Sequence, residues 1–231
     1  MAEFARHLPL SLRSVGNESG VNARWSGHLA ATLTAIADLL EGLSSEQWET
    51  QSLCGRWRVR DVAGHLVWRL GSTRRELIGS AARAYLGHYV RPSRAIDAVS
   101  RAAATVPPEQ LVSRLREIAA ERAAGRGRGG IWELTEAVVH GLDLAHPLGL
   151  TLPIHATAGG AVALRRSLIA PTEIKAVLRT RRLVATDAEW SVGHGAPLRG
   201  TASELILFLF GRGPLPTEAP PVEAAPEPPE A

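Results

Sequence analysis

The chain has 231 residues, 45% of them hydrophobic, and a formal net charge of only +3. That composition is ordinary for a soluble globular protein of one large domain, or one medium domain and a small one. Cys54 is the only cysteine, so no internal disulfide can form. No stretch approaches the ~18 apolar residues of a membrane span, and the N-terminus lacks a secretory apolar run, so a cytoplasmic protein with no membrane partner is expected.

Lys175 is the only lysine, so nearly all the positive charge is arginine. Arginine binds carboxylates and phosphates in a planar fork, which makes a small anionic molecule an expected ligand. The basic residues lie scattered among acidic ones, with no basic stripe and no recognition-helix signature, so nucleic acid is not an expected partner. Lysine depletion with abundant Ala, Arg and Gly also fits a GC-rich genome.

Residues 1–21 lack firm periodicity and read as a loose lead-in. Trp25, Leu29, Leu33, Ile36 and Leu40 recur at steps of three and four, which predicts a helix from about Asn22 to Leu43 with Asn22 as its cap. A connecting loop covers Leu53 to Trp57. A second helix is predicted from Val59 to about Tyr85, with Val62, Leu66, Leu70 and Leu77 on its apolar face. A third helical region spans Ser93 to Thr105, with Ile96 and Val99 inward, and Pro107-Pro108 opens another helix carrying Leu111, Leu115 and Ile118. The run Gly125-Arg126-Gly127-Arg128-Gly129-Gly130 reads as a mobile loop. The last long helix of this part runs from Ile131 to His146. The pattern predicts a helical bundle over 22–150.

The texture then changes. Helices at 156–168 and 172–178, short strands at 182–187, 189–192 and 197–200, and a capping box at Thr201 and Glu204 before an apolar run predict a small α/β domain over 151–213. The tail, 214–231, is rich in Pro, Glu and Ala and is expected to be disordered.

Glu136 and His140 are four residues apart, so on a helix they share one side, and Asp143 continues that stripe. His65 lies beside Val62 and Leu66, so it too points inward, and Asp61, one turn earlier, is placed to orient its ring. Two imidazoles and a carboxylate hold a Zn²⁺-like ion and leave one position open for water or a thiolate. Each residue alone has an ordinary structural reading: a satisfied core histidine, a chance Glu-x-x-x-His pair, an Asp paired with a nearby arginine. Together they place polar groups where a bundle core should exclude them.

Leu43-Ser44-Ser45-Glu46-Gln47-Trp48 and the stretch from Cys54-Gly55-Arg56-Trp57 to Gly64-His65-Leu66 resemble the N-terminal signature of the mycothiol-dependent maleylpyruvate isomerase family. That family belongs to the DinB-like metal-binding bundles. Glu136 to Asp143 resembles its second signature. Ala185 to Gly193, with Gly200 and Leu207 to Arg212, resembles its C-terminal domain.

The resemblance implies an α+β protein, with a DinB-like four-helix bundle followed by a small α/β domain. It implies metal ligands at His65, Glu136 and His140, a catalytic arginine at Arg212, and mycothiol, the thiol of actinobacteria, as cosubstrate. The implied chemistry is addition of a metal-held thiolate to a cis double bond, rotation, and elimination of the trans isomer. Similar proteins transfer or detach thiols at such a centre, so both an isomerase and a thiol S-transferase stay open. A non-catalytic ligand-binding or regulatory protein on the same scaffold is the alternative. Oligomeric state is open between monomer and homodimer.

Arg69, one turn after His65, and Arg212 are candidates to hold a substrate carboxylate. An exposed helix charge and a helix-end charge are their structural alternatives. Cys54 reads as a buried structural thiol, since nothing basic is placed near it in sequence. Arg126 and Arg128 read as part of a solvated loop, and Trp57 and Trp132 as packing residues.

Overall fold

The structure, a computed structural model, describes residues 18–88 and 92–216. It divides into two compact units, Met1–Val162 and Ala163–Ala231. Most of the expected lead-in, and the tail beyond Pro216, lie outside the described residues.

In the first unit, α1 (Glu18–Glu41) starts four residues before Asn22, which therefore lies within the helix and does not cap it. Its stripe of Leu29, Leu33, Ile36 and Leu40 is fully buried. A one-turn helix, α2 (Ser45–Trp48), leads into the loop before α3 (Val59–Gly71). The long helix expected from Val59 to Tyr85 is broken, and α4 (Arg74–His88) starts afresh. The break is chemical. Ser72 turns extended, and Thr73 with Glu76 forms a reciprocal cap: Thr73 N–H donates to Glu76 Oε2 (2.7 Å) and Glu76 N–H to Thr73 Oγ1 (3.3 Å).

α5 (Pro92–Ala103), α6 (Pro108–Ala123) and α7 (Ile131–Ala145) complete the unit's long helices. α1 packs on α6 and α7, and α3 packs on the same two, so α1, α6, α3 and α7 close a four-helix ring. Leu66, Leu70, Leu111, Leu115 and Leu134 fill it. α5 packs on α3 and on α4. Its inward residues are Ala95 and Ser100, whereas Ile96 is partly exposed, so the face is turned from the one expected.

The glycine-rich segment is tethered rather than loose. The buried Arg122 guanidinium donates to the carbonyls of Leu70 (2.6 Å) and Arg126 (2.7 Å). Arg128 donates to Glu133 Oε1 (2.7 Å) and to the carbonyl of Arg69. The last carbonyls of α3 have no partner within their own helix, and these arginines supply one.

In the second unit, α9 (Thr172–Thr180) precedes β1 (Arg181–Ala185), β2 (Ser191–Gly193) and β3 (Ala196–Gly200). α8 (Ala156–Ile169) carries the chain into it. The sheet order is β2-β1-β3, with β1 antiparallel to β2 and parallel to β3. Leu183 pairs with Val192 and Leu198, and all three are buried. α10 (Ala202–Leu209) opens on the expected capping box of Thr201 and Glu204. It closes at Gly211, whose φ of 70° lets Arg212 N–H return to the Leu207 carbonyl (2.8 Å). The protein is thus an α+β chain: a four-helix bundle with flanking helices and a small α/β unit. No helix among the described residues is long and apolar enough to cross a membrane.

Candidate metal centre

α3 and α7 are neighbours in the ring, and their facing polar residues meet. His65 Nε2 lies 3.4 Å from Glu136 Oε2, and His140 Nε2 lies 3.6 Å from the same oxygen. The two imidazoles stand edge to face, 4.8 Å between centroids. One ligand atom from each of the three residues falls within a 4.8 Å group.

The outer ring nitrogens are held separately. His65 Nδ1 lies 3.0 Å from Ser100 Oγ. That hydroxyl donates its own proton to the Ile96 carbonyl (2.7 Å), so it accepts from Nδ1–H. His140 Nδ1 lies 3.0 Å from Asp143 Oδ2, and a carboxylate oxygen there accepts. Both rings are thereby fixed with Nε2 directed at Glu136. Two ring nitrogens facing one carboxylate oxygen call for a positive charge between them, a proton or a metal ion. Ligands about 2.1 Å from a tetrahedral ion lie roughly 3.4 Å apart, and the two histidine–glutamate distances match that spacing. The donor set therefore fits a Zn²⁺-like ion.

Electrostatics agree. Burial would raise the Glu136 carboxyl, but hydrogen bonds from His140 and His65 and the charge of Arg69 outweigh it, holding the group well below the usual carboxylate range. Burial pushes His65 down. Burial also opposes charge on His140, yet Asp143, Cys54 and Glu136 together raise it well above an ordinary imidazole.

The other expected site residues fall in different places. Arg69 Nε approaches Glu136 Oε1 at 3.7 Å, so it faces the centre rather than open solvent. Asp61 does not orient His65. Its Oδ2 accepts from Arg58 N–H (3.0 Å) and Arg58 Nε (3.2 Å), which closes the start of α3, one turn away from the ring it was expected to hold. Ser100 takes that role instead. Its only sequence signal is a polar residue one turn after Ile96. Arg212 belongs to the second unit, just past α10.

Cys54 is not isolated from a base. Leu53 N–H donates to the Asp143 carbonyl (3.0 Å), pinning the loop to α7 and bringing the thiol within 4.8 Å of a His140 ring nitrogen. Cys54, His140 and Asp143 thus form a second cluster that shares His140 with the first. Trp57 packs its ring 4.9 Å from that of His65, while Trp132 is 61% exposed.

Fold and site together define a class: a four-helix bundle whose core carries two histidines and a carboxylate facing one another. Within that class, residues 29–127 match the family described as the mycothiol maleylpyruvate isomerase N-terminal domain. The matched segment contains His65 and ends before Glu136 and His140. Among solved structures, the chain is similar to a histidine-to-alanine mutant of the mycothiol-dependent maleylpyruvate isomerase. Identity is 12%, the TM-score is 0.44, and the match covers 83% of this chain and 90% of the other. No curated protein matches the chain.

Proposed function

We propose that the chain is a metal- and mycothiol-dependent enzyme, an isomerase or thiol S-transferase, with His65, Glu136 and His140 as ligands of a Zn²⁺ ion. The observation that carries this reading is the convergence of His65 Nε2 and His140 Nε2 on Glu136 Oε2, with both outer nitrogens already bonded. When bound, such an ion supplies the Lewis acidity that keeps a thiol ionised near neutral pH. Ser100 and Asp143 hold the outer nitrogens, so Nε2 is the nitrogen that each ring presents to the ion. Glu136 brings the negative charge that offsets the ion's. Arg69 is placed to receive a substrate carboxylate beside it. Arg212 is included on the resemblance alone, and loss of turnover without loss of zinc in Arg212→Ala is its test.

Purified protein should carry about one zinc per chain and lose it in His65→Ala and His140→Ala, with the helical circular dichroism retained. Wild-type protein that takes up no zinc, or variants with full zinc content, would exclude the ligand set. The family description supports mycothiol as the thiol, and consumption or exchange of mycothiol by zinc-loaded protein is the assay.

A further inference from the structure

The centre opens into a cavity of about 500 Å³ in the first unit. Beyond the three ligands it is lined by Trp57, Trp68, Leu77, Ile78, Ile96 and Arg69. Five of these six are apolar or aromatic. Both indole N–H groups are already engaged, Trp57 with Asp97 Oδ1 (2.5 Å) and Trp68 with Ser80 Oγ (3.0 Å), so the tryptophans offer the cavity ring surface. Ile78 on α4 is 71% exposed and Ile96 on α5 is 38% exposed. Large apolar side chains left in water beside a polar centre mark a place where an apolar ligand displaces that water.

The charge is concentrated at the inner end. Arg69 is the single arginine or lysine among the described lining residues, and it already faces Glu136. A divalent ion, Arg69, Glu136, Asp143 and one thiolate together sum to zero there, so Arg69 is the one described lining cation left for a substrate carboxylate. One arginine suits one carboxylate, and the rest of the described lining is apolar or aromatic.

We infer that the substrate is an electrophile whose bulk is apolar: an aromatic or branched aliphatic acid with one carboxylate. The carboxylate lies at Arg69, and the apolar body lies against Trp57, Trp68, Ile78 and Ile96. The inference rests on the metal- and thiol-dependent reading above and narrows its substrate class away from dicarboxylates.

Calorimetric titration of the full-length, zinc-loaded protein with trans-cinnamate and with maleate tests it, with zinc content measured on the same samples. Cinnamate should bind at least about tenfold more tightly than maleate, because only cinnamate buries apolar surface. The double variant Ile78→Ser/Ile96→Ser should lose about fivefold in cinnamate affinity while its maleate affinity, zinc content and melting temperature stay at wild-type values. Both isoleucines are exposed enough that the fold does not depend on them. Maleate binding as tightly as cinnamate, no heat from millimolar cinnamate, or a double variant that binds cinnamate like wild type would overturn the inference. The two readings fail separately. Zinc-loaded protein that prefers maleate sinks the substrate class and leaves the centre. Protein that takes up no zinc yet still prefers cinnamate sinks the centre and leaves the cavity's preference.

Discussion

Helix α7 supplies its half of the centre from eight consecutive residues: Glu136, His140 one turn on, and Asp143, which holds the outer nitrogen of that histidine. Helix α3 supplies one candidate ligand, His65, with Arg69 one turn on, and the group that holds His65 comes from α5, thirty-five residues later. The α7 half depends on helical periodicity alone. The α3 half depends on how closely two helices approach. The contrast predicts that the halves fail in different ways.

The largest effect is expected at Gly64. A Cβ there would lie 2.7 Å from the Ala104 backbone nitrogen and 2.8 Å from its Cα, so an added methyl must push backbone apart just where α5 brings Ser100 to His65. Gly64→Ala should cost about 3 kcal/mol of stability. Its counterpart on α7, Gly141, meets only the side-chain tips of Leu152 and Ile36, at 2.6 and 2.9 Å, which can turn aside. Gly141→Ala should cost about 1 kcal/mol. Urea denaturation of both variants checks the order, and equal costs would break the comparison.

Next comes the partner of His140. Asp143→Asn should weaken zinc binding about 10- to 100-fold, measured by competition with a chelator. Proton competition follows. In the metal-free protein His140 keeps its proton well above the usual imidazole range, so zinc must displace it. Below that raised value, zinc affinity should fall about tenfold for each unit the pH falls, with one proton released per ion. His65, pushed down by burial, and Glu136, held low by its partners, add nothing to that slope near neutral pH. A slope of two protons would mean that His65 also starts protonated. The smallest effect belongs to Ser100→Ala, which removes one neutral hydrogen bond worth about 1 kcal/mol and should weaken zinc about fivefold.

The same contrast explains what the sequence made legible. Glu136, His140 and Asp143 obey the three-and-four spacing of a helix, so the chain alone shows that they share a face. His65 was legible as an inward position between Val62 and Leu66. Its partner was not, because Asp61 and Ser100 are equally polar and only packing decides which one reaches Nδ1. The break between α3 and α4 hid within a continuous apolar stripe, since Leu77 keeps the phase of Leu70 across Ser72 and Thr73. Thr73 and Glu76 carried the signal. The tethering of Arg122 and Arg128 was invisible for another reason. A glycine- and arginine-rich run reads as solvated until the end of α3 presents carbonyls to it. The closeness of Cys54 to His140 likewise comes from one backbone bond, Leu53 to Asp143, that no spacing encodes.

That cysteine makes the decisive test sharp, because His140 serves two clusters: one with His65 and Glu136, the other with Cys54 and Asp143. X-ray absorption at the zinc K-edge of the zinc-loaded, thiol-free protein separates them. The proposed centre predicts nitrogen and oxygen neighbours at about 2.0–2.1 Å, with the outer-shell scattering of two imidazoles and no sulfur. A sulfur neighbour at about 2.3 Å with a single imidazole would place the ion on Cys54 and contradict the assignment of His65, Glu136 and His140.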